Sequence, residues 1–193
     1  MKIKIPNNEI GIEFSQEFFK FYLNTYNLDI RLIKACASLF DEICGFNNKK
    51  NEEILRKVCN LMNEIINPTE INSKNKATLY HIIFIIIFDC LNKFKCYSEI
   101  RANRKNLKRL DLLMLREKLR IILELKNEKE LEDGLLQITE NKYCDAFENP
   151  NYNPDDNCVK YYILIGLSMS VDYKISLCIL FNNLDYDNKR VLN

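Results

Sequence analysis

The amino-acid sequence predicts an α+β domain that is mostly helical. It should hold a core of about five to six helices, short strands from the N-terminus and a C-terminal β-hairpin. Three observations predict this. Apolar residues recur at helical spacing through residues 15–140. At both ends of the chain the apolar period falls to two. Between the helical part and the C-terminal alternation, residues 141–158 are dense in Asn, Asp and Pro, the residues of turns. The expected organisation is therefore 1–14 as N-terminal strands, 15–140 as helical core, 141–158 as loop and 159–193 as a β segment packed on the same domain. A chain of 193 residues can bury roughly 70% of its unfolded surface, so one core suffices without staples.

Each element has a local reason. Lys2-Ile3-Lys4-Ile5 and Ile10-Gly11-Ile12-Glu13-Phe14 alternate around the turn-forming Pro6-Asn7-Asn8-Glu9. Ser15 then reads as an N-cap. Asp29 to Cys44 carries Ile30, Ile33, Ala37, Phe40 and Cys44 as one helical stripe, with Gly45 placed to end it. Asn51 to Ile66 begins on a capping Asn with Glu52 and Glu53 in the first turn, and stops at Asn67-Pro68. From about Ala77 to Asn127 no proline or glycine interrupts a helical signal, which should break or kink near Tyr97 to Asn103. Within it Leu79 to Leu91 is the most apolar stretch, too short at about 13 residues to span a bilayer, and reads as a buried core helix. A shorter helix is expected at Glu128 to Thr139. From Val159 to Phe181 alternate residues are apolar or aromatic, which predicts strands that fold back near Ser168 to Ser170. A buried helix at Val159 to Leu167 is the rival.

Composition narrows function by exclusion. Net charge is +1, which excludes a uniformly basic coat but not a local basic patch. Only four glycines occur, too far apart for a phosphate-cradling loop. The eight cysteines include no Cys-x-x-Cys and no zinc-knuckle spacing, so they read as reduced thiols, and no metal or cofactor is expected. Met1 to Pro6 has no apolar run of the kind a secretory signal needs, so the expected location is cytoplasmic, without a membrane partner. Asn, Ile and Lys, with 25, 24 and 20 copies, point to an AT-rich genome. Ser38 to Asn48 is loosely similar to a helix–turn segment of poxvirus Bcl-2-like host modulators. The alternating C-terminus does not fit an all-helical bundle, however, and the chain is assigned to no family.

Catalytic candidates are few. His81 is the only histidine and lies in the most apolar stretch, where it reads as a core residue. The acid pairs Glu52–Glu53 and Glu132–Asp133 suit helix starts, and Asp155–Asp156 suits a turn. The local feature with functional content is basic. Arg101, Arg104, Lys105, Lys108 and Arg109 would share one side of a helix, with Arg116 continuing the charge. Five of the eight arginines lie between Arg101 and Arg120, which a codon bias toward Lys does not explain. Such a stripe suits phosphates, because Arg offers a two-pronged donor. Its bland counterpart is a solvated helix face paired with Glu128, Glu130 and Glu132. Tyr143 and Tyr152, on the Asn/Asp/Pro loop, are candidates for contact with a partner.

The expected function is a non-enzymatic stoichiometric factor. It would dock through the basic helix into a larger assembly, most plausibly an RNA–protein particle such as the ribosome, and reach neighbouring proteins through its loop. No small-molecule substrate is expected. The alternative is a protein-only interaction module, for instance a viral or parasite regulator that binds a host protein through a helical surface.

Overall fold

The structure, a computed structural model, describes residues 8–44, 47–65, 83–88, 90–101, 109–127, 132–141, 143, 161–170, 174–181 and 189–192. It contains helices α1 (Asn8–Thr25), α2 (Ile30–Glu42), α3 (Asn48–Ile65), α4 (described over 83–88) and α5 (Asp133–Glu140). Strands β1 (Lys95–Arg101), β2 (Arg109–Arg116), β3 (Leu119–Asn127), β4 (Tyr161–Met169), β5 (Ile175–Phe181) and β6 (Lys189–Leu192) form one sheet in chain order. All neighbours are antiparallel except β3 and β4, which run parallel. A parallel pair cannot be joined by a tight turn, and α5 lies in the crossover between them.

The domain is thus a mixed sheet covered on both faces, not a mostly helical core. Residues 95–127, expected as helix, form three strands. Ile10 to Phe14, expected as strand, lie inside α1, and residues 1–7 are outside the described residues. The physical reason is double burial. Leu112, Leu113 and Met114 of β2 and Ile121, Ile122 and Leu123 of β3 are all buried, because helices cover both faces of the sheet. A strand buried on both faces reads as a continuous apolar run, without the alternation that marks a half-exposed one. In α1, Ile10, Phe14 and Phe18 also fit helical spacing, and the longer period prevails.

Odd-numbered residues of β3, β4 and β5, from Leu119 to Phe181, pack with α2, α3 and α4 into the larger core. Phe19, Tyr22, Leu23 and Tyr26 bring α1 and the turn after it onto the same core. Even-numbered Ile122, Leu164, Cys178 and Leu180 meet Leu135 and Ile138 of α5 and Tyr143 in a second, smaller core. Gly134 seats α5 on the sheet: a Cβ there would lie 2.8 Å from Gly166 Cα and 3.2 Å from the Glu124 carbonyl oxygen.

Buried polar groups tie the helical layer to itself and to the sheet. Asp29 caps α2 by accepting from Arg31 N at 2.8 Å. Asn51, expected as a cap, is instead buried within α3. It pairs with the Cys44 peptide, accepting from its N at 3.1 Å and donating to its O at 2.6 Å. Asn63 does the same for Ile175, accepting from N at 2.7 Å and donating to O at 3.0 Å. The Asp41 carboxylate accepts from Asn92 N and Lys93 N, at 2.8 and 2.9 Å, where the chain leaves α4 for β1. Each satisfies groups whose burial without a partner would be costly.

The C-terminal alternation forms β4 and β5, and the chain reverses between Ser170 and Lys174. No helix among the described residues is long and apolar enough to cross a membrane.

Candidate functional site

The basic residues do not share a helix. Arg101 ends β1 and Arg109 begins β2, and the register sets them directly opposite each other. Arg104, Lys105 and Lys108 fall in the link 102–108, outside the described residues. Arg101 and Arg109 form one cross-strand pair, and the sequence between them carries three further cations. Residues 100–110 hold no acid.

Arg116 belongs elsewhere. Seven residues along β2 separate it from Arg109, about 24 Å in an extended strand. Its Nη1 donates to the carbonyls of Asp41 and Ile43, at 3.0 and 3.2 Å, and its guanidinium lies over Phe94. It thus closes the C-terminal end of α2, where a cation is favoured. It borders a cleft of about 190 Å³ between Ile43–Cys44, the Glu117–Lys118 turn and Tyr161, smaller than usual ligand pockets. Tyr143, expected on an exposed loop, is fully buried, and its hydroxyl accepts from Asn141 Nδ2 at 3.1 Å. Tyr152 and His81 are outside the described residues.

No protein-family model, curated protein or solved structure matches the chain.

The sheet holds a second feature, at the root of the same hairpin. The β2–β3 register runs to Leu112–Leu123. Beyond it the Asp111 carboxylate accepts from Leu125 N at 2.8 Å, and Asp111 N approaches Glu124 Oε1 at 3.4 Å. Glu124 is completely buried and accepts from Gln137 Nε2 of α5 at 2.8 Å. Lys126 Nζ stands 3.5 Å from Glu124 Oε2 and donates to Gln137 Oε1. Gln137 also reaches the Tyr143 hydroxyl at 3.4 Å. Burial, reinforced by the Asp111 charge and opposed by Lys126, pushes the Glu124 carboxyl up to about 8. At neutral pH Glu124 is therefore largely protonated.

In the β1–β2 register, Glu99 stands between Ser98 and Ile100, whose partners are Leu112 and Leu110. Glu99 and Asp111 are thus opposite each other across β1 and β2, and the Asp111 carboxylate reaches the β3 backbone beside Glu124. The sequence did not reveal the Asp111–Glu124 contact, because it exists only once 109–127 form strands. Among the described residues no group of three or more His, Cys, Asp or Glu is arranged to hold a metal ion.

Proposed function

We propose that the chain is a non-enzymatic docking factor that binds the phosphate backbone of a nucleic acid, most plausibly RNA in a ribonucleoprotein particle such as the ribosome, through the β1–β2 hairpin. The observation that carries the reading is the register that sets Arg101 opposite Arg109. Like charges directly across an antiparallel pair are destabilising, and three further cations follow within the link. A polyanion seated on the tip would offset that repulsion, and Arg would hold phosphate oxygens in pairs. The rigid six-stranded sheet fixes both ends of the hairpin, so little ordering entropy is lost at the neck on binding. The support comes from charge placement, and it replaces the helix expected from the sequence.

The test is co-sedimentation with ribosomes or total RNA across a salt series. Five contacts to a single strand should weaken binding on the order of a hundredfold for a fourfold rise in salt. Arg104→Glu/Arg109→Glu should abolish sedimentation and leave circular dichroism unchanged. Unchanged sedimentation of that variant would sink the reading. It would favour the protein-only module, for which the exposed Phe21 ring on α1, edge-on to Tyr22, is the specific observation.

A further inference from the structure

We propose that the cleft between the C-terminal end of α2, the start of α3 and the β2–β3 turn is an oxyanion site that takes the phosphoryl group of inorganic phosphate or of a phosphate monoester. It lies at the other end of β2 from Arg109 and does not depend on the docking reading above.

Two cations with uncommitted donors line the cleft. Arg116 uses only Nη1 on the Asp41 and Ile43 carbonyls. Among the described residues nothing accepts a hydrogen bond from its Nε or Nη2, the edge of a guanidinium that holds two oxygens of one anion. Lys118 is exposed, and no ion pair among the described residues uses it. The start of α3 adds a third attraction. Asn48, its first residue, accepts from the hydroxyl of Tyr161, which lines the cleft, so the positive end of an 18-residue helix stands beside it. The first turn of α3 holds no acid and carries the exposed Lys49 and Lys50, against the usual preference for acids there. An anion in the cleft would offset that charge. The one acid among the lining residues is Glu117, which is exposed. The Asp41 carboxylate is already engaged by Asn92 N and Lys93 N.

The walls are set before any anion arrives. Asn51 holds the Cys44 peptide through both its N and its O. Arg116 is fixed by its two carbonyls and by Phe94. Buried Arg120 donates through Nη1 to Glu117 O at 2.7 Å and to Leu119 O at 3.0 Å, which pins the turn where Glu117 takes φ 44°. Donors held in this way lose little freedom on binding. The volume of about 190 Å³ is below that of pockets for drug-sized ligands, so only the phosphoryl end of a larger molecule enters and the rest stays in solvent.

The experiment is proton–nitrogen correlation NMR of the full chain, titrated with inorganic phosphate, uridine monophosphate or uridine at fixed pH and ionic strength. The two phosphates should move the amides of Cys44, Glu117 and Lys118 along one saturable curve, with Kd on the order of 1 mM, and uridine should move none. Tighter binding of the monophosphate marks a monoester ligand and tighter binding of inorganic phosphate marks the free anion; both support the site. Lys118→Gln, an exposed change, should weaken binding about tenfold, and Glu117→Gln should tighten it about threefold. Shifts that do not saturate, that spread over surface lysines without centring on the cleft, or that persist at full affinity in Lys118→Gln overturn the inference and leave the docking reading standing.

Discussion

Glu124 is the residue on which the chemistry of the sheet turns. A glutamate ordinarily ionises near 4.5, and here burial raises it to about 8. Between those values the folded chain holds a proton that the unfolded chain has released. Folding stability should therefore be greatest at or below pH 4.5 from this group, and fall as pH rises through 8, by at most about 1.4 kcal/mol per unit. Glu124→Gln should remove that slope and unfold later than the wild type at pH 8.5, in urea melts at pH 5, 7 and 8.5. A variant retaining the full slope would place the titration elsewhere. Gly134 is constrained by space, not charge. Its neighbours at 2.8 and 3.2 Å are backbone atoms of Gly166 and Glu124, which cannot swing aside. Gly134→Ala should cost about 1–3 kcal/mol as overpacking between helix and sheet, despite the better helix propensity of alanine. Thermal melts of the two proteins decide the point. Neither residue stood out in the sequence: Glu124 resembles any acid of a helix surface, and Gly134 was one glycine inside an expected helix, with no sign of what it packs on.

Among the elements, α2 was legible, because Asp29 caps it and Ile33, Ala37 and Phe40 repeat every three to four residues on one buried face. The alternation of β4 and β5 was legible too. β1 to β3 were not, for three physical reasons. Leucine, lysine, glutamate and arginine dominate them and favour helices. Both faces of β2 and β3 are buried. The β2–β3 turn is Glu117–Lys118, with Glu117 at φ 44°, where glycine or asparagine would have announced it. The candidate site changed accordingly: its cations were visible as a cluster, but the register that sets Arg101 opposite Arg109 was not, and Arg116 left the set once its carbonyl partners were known. Two predictions belong here. Asn63 occupies the backbone groups of Ile175, two residues along β5 from Leu177, the last residue there paired to β6. Asn63→Ala should cost about 1–3 kcal/mol by stranding that peptide, whereas an exposed residue such as Asn60 should tolerate alanine within about 0.5 kcal/mol. Equal melting of the two variants would count against the role given to Asn63. Arg101→Thr should relieve the cross-strand repulsion, raising stability by roughly 0.2–1 kcal/mol while lowering poly(U) affinity. A loss of stability would show that the arginine pair is held by other groups.

At the scale of the whole molecule, Arg104, Lys105 and Lys108 are charged side chains of a kind that rarely enters a packed core. Replacing Arg104, Lys105 and Lys108 together by serine should shift the melting temperature by no more than a degree or two, measured by circular dichroism. A large drop would mean that the link is part of the packed structure. The single parallel join between β3 and β4 has a consequence for how the chain reaches this state. Neighbours β1 to β3 are local in sequence, and so are β4 to β6, whereas the join pairs Leu119 with Tyr161 and Asn127 with Met169. Each antiparallel trio closes short loops, and the seam between them closes a long one, which is entropically the later event. The sheet is in this sense two meanders stitched at one seam, with Gly134 and Gly166 lying in the stitch. Until the seam forms, β3 and β4 are both bare edges, each able to recruit the wrong strand. Speed of folding, and loss to aggregation during it, are therefore governed at the centre of the finished sheet and not at its rims.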